Sequence, residues 1–289
     1  PSVSMGWFDL ELTGKGYDAL QDDNPNPDLE TFAVLEKLIT QVYQAGGSVH
    51  IWLWGDESRK QTPVAWGINQ NVDHRLQQYF TARLGMLPGW SLGYGFDLFE
   101  WVTLNQLQSW YSYMHRNLPL FRLLGARPQG PKAEDDISPY QQWNQTFDYA
   151  SFEHHRPEYE DYLRAVRATE GMPVFSEDRF RIRVNGQWKA KDYDLEMTRR
   201  GMWHAYMAGG VANIWGNLYD PEKKENISSN LGSLPYPNAA LLHTCFTFFR
   251  KENRLRVDMD ADTSISEKAR VLKSSDDKLA IVYQEDTDA

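Results

Sequence analysis

The sequence predicts an α/β chain organised as a (β/α)8 TIM barrel that lacks its first β/α unit and ends in the start of a small C-terminal β-module. Three observations lead there. Short apolar or β-branched runs alternate with amphipathic helical stretches over most of the chain, the pattern of parallel strands covered by helices. Nearly every apolar run ends in polar or charged groups, as expected where loops converge on one face of a barrel; an open doubly wound sheet gathers such groups at a single switch point. The length, 289 residues, is enough for one barrel.

Taken in order, PSVSMGWFD is a short apolar strand that breaks into the loop ELTGKGYDALQDDNPNPD. LETFAVLEKLITQVYQAGG follows as a helix: Phe32, Leu35, Leu38, Ile39 and Val42 recur at helical spacing, and Gly46-Gly47 closes it. SVHIWLWGDE is a buried strand by its β-branched and aromatic content. Next come a helix around NQNVDHRLQQYFTARLG, the apolar segment PGWSLGYGFDLFEW, the helix LNQLQSWYSYMHRNL and the short apolar segment PLFRLLGARP. A polar loop, QGPKAEDDISPYQQWNQ, leads to TFDYASFEHHRP, the helix PEYEDYLRAVRATEG and the strand MPVFSED. The helix LEMTRRGMWHAYMAGG then leads to VANIWGNLYD. Seven strands result, and the one missing from a barrel is the first, placed upstream of residue 1. Beyond residue 235 the rhythm changes: LPYPNAALLHTCFTFFRKENRL is a closing helix, and EKARVLKSSDDKLAIVYQED is a two-strand meander with a polar turn. The expected division is a barrel over 1–255 and the start of a β-sandwich-like module over 256–289.

A net charge of −10 and a pI near 5.2 argue against a polyanionic partner, so no nucleic acid is expected. Eleven tryptophans and an aromatic content of 13% are unusual, and most of these rings can serve a large aromatic core. They also fit a groove in which sugar rings lie on aromatic faces. The single cysteine, Cys245, excludes an internal disulfide and a cysteine-based metal site, and reads as a small buried hydrophobe. No apolar run reaches about 18 residues, so no membrane span is expected. The chain begins without an initiator Met, as a processed chain or a fragment whose export signal lies upstream; a secreted or periplasmic location is the expectation.

P-loop, GxGxxG and HExxH patterns are absent, and no cofactor is expected. What remains is acids at strand ends. Cleaving a glycosidic bond takes two carboxyl groups, one to protonate the leaving oxygen and one to attack carbon or activate water. Glu177 is the best single candidate, presented where the apolar strand MPVFSED stops. For the second, GWSLGYGFDLFEW offers Asp97, favoured by position, and Glu100, favoured by a Phe-Glu-Trp setting that would desolvate it and raise its pKa. One of the two could instead cap the helix that follows. Asp56 and Glu57, after HIWLWG, read as substrate contacts or loop anchors. Glu153, His154 and His155 could suggest a metal, but adjacent histidines on an extended strand point in opposite directions, so sugar-hydroxyl contacts are favoured. His204 reads as a satisfied helix residue.

On these segments the chain resembles the apiosidase-like family of bacterial barrel glycosidases, which commonly carries a C-terminal β-domain named collagen-binding. HIWLWGDE followed by GWSLGYGFD is similar to the family's Trp-Gly strand followed by W-x-x-G-G-D, and this places Asp97 on the family's acid position. MPVFSED followed by TRRGMWHAYMAGGVANIWGN is similar to its later strand, Arg-rich helix and A-G-x-x-x-x-x-Y-G, and this places Glu177 on the second carboxylate, the expected nucleophile of a retaining mechanism. ARVLKSSDDKLAIVYQED is similar to the opening of the β-domain. The likeness runs from about residue 30 to the end. Departures are Tyr-Gly-Phe-Asp for G-G-D, Glu153-His154-His155 for the family's Gly-His, and Trp215-Gly216 for its Y-G.

The expected function is therefore hydrolysis of O-glycosidic bonds in a polysaccharide or oligosaccharide. Glu177 is nucleophile, Asp97 acid/base with Glu100 as its competitor, and Trp54, Asp56, Tyr94, Arg127, Glu153, His154 and Trp215 contact the sugar. The carboxylate separation would set the outcome, about 5 Å for retention and roughly 6.5 to 9.5 Å for inversion. Two alternatives stand beside it: a non-catalytic carbohydrate-binding barrel, and a metal-dependent hydrolase or lyase using Glu153, His154 and His155.

Overall fold

The computed structural model describes residues 2–4, 17–18, 25–55, 62–127, 138–152, 158–169, 171–177, 195–213, 219–220, 225–226, 239–250, 258–265 and 269–285. They fall into two compact units, residues 1–129 with 138–151 and residues 130–137 with 152–289.

In the first unit, β1 (Ser2–Ser4) is followed by a small antiparallel pair, β2 (Tyr17–Asp18) and β3 (Asn26–Pro27), inside the stretch read as loop. α1 (Leu29–Gln44) starts at Asp28, whose carboxylate accepts from Glu30 N–H at 3.1 Å and from the Thr31 hydroxyl at 2.8 Å. Phe32, Leu35 and Ile39 are fully buried, with Leu38 and Val42 packed beside them, so the predicted apolar face is the one used. β4 (Val49–Trp52), α2 (Asn71–Leu84), β5 (Trp90–Gly93) and α3 (Leu104–Asn117) follow. Both strands are buried at every position, which is why their sequences show no polar alternation.

Next come β6 (Leu124–Gly125), α4 (Ser138–Asn144) and β7 (Ala150–Phe152), whose last residue belongs to the second unit. α4 lies in the segment read as a polar loop. The sheet order is β1–β4–β5–β6, and every neighbouring pair is parallel. β6 can pass only as glycine at its second position, because a Cβ on Gly125 would lie 2.2 Å from the Tyr149 ring.

In the second unit, α5 (Tyr159–Arg167) precedes β8 (Val174–Ser176), and α6 (Leu195–Met207) precedes β9 (Ala212–Asn213). β8 and β9 pair in parallel, Phe175 opposite Ala212 and Ser176 opposite Asn213. A short antiparallel pair, β10 (Tyr219–Asp220) with β11 (Glu225–Asn226), was not anticipated. α7 (Ala239–Arg250) is the helix expected near residue 240, and it buries Cys245, whose thiol burial pushes up to about 12. The meander gains a third strand: β12 (Met259–Ala261), β13 (Ala269–Ser274) and β14 (Ala280–Gln284), all antiparallel.

That meander is docked on α6. The Trp203 ring stacks on Tyr283 at 5.3 Å and 3°, with Phe248 and Phe249 at 5.2 and 5.4 Å. Arg199 donates to the Tyr283 hydroxyl at 2.8 Å. The Arg200 guanidinium donates to both oxygens of Glu285, at 3.2 and 3.1 Å, and His204 Nε2 meets the same carboxylate at 2.5 Å. Mixed α/β structure with parallel sheets is thus the class observed, as the alternation of the sequence predicts.

Candidate active site

β5 is followed by Tyr94-Gly95-Phe96-Asp97. Asp97 stands in the left-handed region, at φ 47° and ψ 44°, and opens a short 3-10 helix over Leu98–Glu100. Asp is one of the few side chains that tolerate this conformation. Four bonds close the turn: Glu100 N–H to Asp97 O at 3.0 Å, Trp101 N–H to Leu98 O at 3.2 Å, Val102 N–H to Leu98 O at 3.0 Å, and the Trp101 indole N–H to Phe96 O at 2.8 Å. The carboxyl makes no cap bond, so helix capping does not explain this residue. Its Oδ1 instead lies 3.8 Å from Arg127 Nη2.

Arg127 follows β6 and is wholly buried. Its guanidinium stands over the Phe96 ring at 4.6 Å and the Trp52 ring at 5.9 Å, and those rings lie 4.6 Å from each other. A buried cation demands a nearby negative charge. Asp97, with a side chain 26% exposed, lies beside that cation while still reaching solvent. Of this group only Asp97 reaches solvent; Arg127, Phe96 and Trp52 are buried behind it, so the guanidinium expected to touch a sugar instead backs the one carboxyl that could meet a ligand and move a proton.

Other expectations need correction. Trp54 and Tyr94 are wholly buried core residues. Trp54 packs edge-on to Trp66 at 6.0 Å, while Tyr94 stacks on Trp101 at 5.5 Å and meets Trp110 at 4.8 Å. Core neighbours take both rings, because their side chains turn inward from the strand ends. Glu100 is exposed, so the aromatic enclosure argued from Phe-Glu-Trp does not form: Phe99 is itself 41% exposed and packs away against Trp143 at 4.4 Å. Trp52 and Phe96, which the sequence reading passed over, stand at Arg127 instead. The signal was there in HIWLWG, where Trp52 alternates with Leu53.

In the second unit, Glu177 comes directly after β8 and is wholly buried. Its N–H donates to Phe152 O at 3.0 Å, continuing the pairing with β7 one residue beyond β8. His204, read as a satisfied helix residue, has Glu285 as its partner. Burial holds its pKa below the ordinary histidine value, against the raising effect of Glu285.

Asp56, Glu57, Glu153, His154, His155 and Trp215 lie outside the described residues. Among the described residues no group of three or more His, Cys, Asp or Glu is placed to hold a metal ion, and no helix is long and apolar enough to cross a membrane.

No protein-family profile matches the chain, and no curated protein sequence matches it. Solved structures do. A candidate glycoside hydrolase from Bacteroides vulgatus superposes with a TM-score of 0.63 at 16% identity, over 86% of this chain and 47% of the other. A family 5 glycoside hydrolase from the same organism gives 0.59 at 12% identity, over 84% and 60%. An endo-β1,6-glucanase gives 0.51 at 8% identity, over 95% and 73%. The chain shares the fold of these proteins, and it spans about half to three fifths of the first two.

Proposed function

We propose that the chain is the catalytic part of a glycoside hydrolase, built on a (β/α)8 barrel and acting on a polysaccharide or oligosaccharide. Glu177 serves as nucleophile and Asp97 as acid/base, in a retaining mechanism. The observation that carries the reading is the wholly buried carboxyl of Glu177 at the end of a parallel strand. The C-terminal ends of parallel strands are where barrel enzymes carry their chemistry. Asp97 supports it from the other half of the reaction: it is reachable from solvent, stands beside a fixed guanidinium, and is preferred over the exposed Glu100. The fold shared with glycoside hydrolases supports the reaction class, and the resemblance of MPVFSED and GYGFD to apiosidase-like barrels supports the assignment of roles.

In a retaining cycle Asp97 would give its proton to the leaving oxygen as Glu177 attacks the anomeric carbon, and would then take a proton from water as the glycosyl ester is hydrolysed. The test is reducing-sugar release from a panel of neutral and charged polysaccharides and 4-nitrophenyl glycosides. Glu177→Gln is expected to lower turnover by about a thousandfold or more with an unchanged melting temperature. Asp97→Ala should lose activity that added azide restores as a glycosyl azide, and Glu100→Ala should not. Full turnover in Glu177→Gln removes the proposal.

A further inference from the structure

We infer that Asp73, a buried acid on α2, is a positioning residue that holds Asp97 in its left-handed turn; this rests on the active-site reading above. Asp73 is wholly enclosed, in the first turn of a helix whose exposed face would have served a simple surface acid. Its Oδ2 accepts from Asn69 N–H at 2.7 Å. That bond fixes Asn69 at φ 59°, itself left-handed, and aims the Asn69 amide across 37 residues to donate to Gln106 O at 2.8 Å.

Gln106 is the third residue of α3 and the far half of its capping box. Its side-chain oxygen accepts from Thr103 N–H at 2.8 Å and from the Thr103 hydroxyl at 3.0 Å, while its own N–H donates to Thr103 Oγ1 at 3.3 Å. Thr103 follows directly on Trp101-Val102, the residues that close the Asp97 turn through Phe96 O and Leu98 O. One route therefore runs from Asp73 to the C-terminal side of the turn. On the N-terminal side, Tyr94 stacks on Trp101 and so ties the chain before Asp97 to the chain after it. Asp97 lies between the two clamped ends. A non-glycine residue in this region is strained and persists only where its surroundings over-determine it.

A plain helix-capping role for Asp73 would affect stability alone, so the test reads Asp97. Asp73→Asn keeps an acceptor for Asn69 N–H; Asp73→Leu removes it. Crystal structures of both are expected to show Asp97 left-handed in the first and moved to negative φ in the second. On the 4-nitrophenyl glycoside that the wild type cleaves best, Asp73→Asn should keep kcat within about twofold. Asp73→Leu should lower kcat by about tenfold with KM little changed, as a displaced catalytic group does. Asp73→Leu should add nothing in an Asp97→Ala background. If the leucine variant fails to fold, Asn69→Gly, which tolerates the positive φ but lacks the donor to Gln106, is expected to give the same loss. An unmoved Asp97 and unchanged kcat in these variants, with only the melting temperature lowered, would reduce Asp73 to a cap. Full activity of Asp97→Ala would instead strike the active-site reading, and the crystallographic comparison would still judge Asp73.

Discussion

Asp73 keeps its proton to a pH at which ordinary carboxyls have lost theirs: burial pushes it up to about 6, against the lowering effect of the Asn69 N–H and the Gln77 side chain. A folded-state pKa above the unfolded value contributes stability that is complete below the unfolded pKa of 3.8 and is lost as pH rises through about 6. By pH 7 the loss amounts to roughly 3 kcal/mol. Asp73→Asn should therefore raise the melting temperature relative to wild type more at pH 7 than at pH 4. A difference between the two proteins that does not change with pH would contradict it. Single residues were also where the sequence spoke least. Asp97 and Glu177 could be picked out because each ends an apolar run. The setting of Arg127 could not be, since Trp52 lies 75 positions away in the chain and only folding brings its ring to the guanidinium. Glu100 misled for the same reason: adjacent aromatic residues do not enclose a side chain unless the backbone turns them toward it.

Elements with a local cause were legible. α1 could be read from Asp28, its apolar spacing and the closing glycines, all within one stretch of chain. β6 and β9 are two residues long, too short for any periodicity, and they exist because neighbouring strands offer partners. Such a short strand has no margin. Gly125→Ala should cost about 1–3 kcal/mol through the clash with Tyr149, measured by urea denaturation, and a neutral result would mean that the ring can step aside. At α6 the expected effect is electrostatic. Glu285 raises the His204 pKa while burial and the cations Arg200 and Arg270 lower it. Glu285→Gln should therefore shift the His204 titration further down, followed by the ring-proton NMR signals. An upward shift would contradict this account of the contact.

For the molecule as a whole, charge and fold answer separate questions. The alternation of strand and helix pointed to the α/β class because it is repeated along the chain, so errors at single segments did not alter it. The net charge of −10 concerns encounter rather than architecture. At low ionic strength, kcat/KM for a neutral polysaccharide that the protein cleaves should exceed that for its carboxymethylated counterpart by several-fold, and the gap should narrow as salt is added. An equal rate on both, or a gap indifferent to salt, would show that a local basic site outweighs the overall field.

The grip of α6 on the final strands has a practical side. The helix that follows Glu177 in the chain presents Trp203, Arg199, Arg200 and His204 to Tyr283 and Glu285, so the last turn of sequence behaves as a keystone and not as a hanging tassel. Trimming the polypeptide before residue 280 would strip a tryptophan face bare and leave two guanidinium groups without this carboxylate and phenol. Whoever subdivides this gene for expression should cut elsewhere.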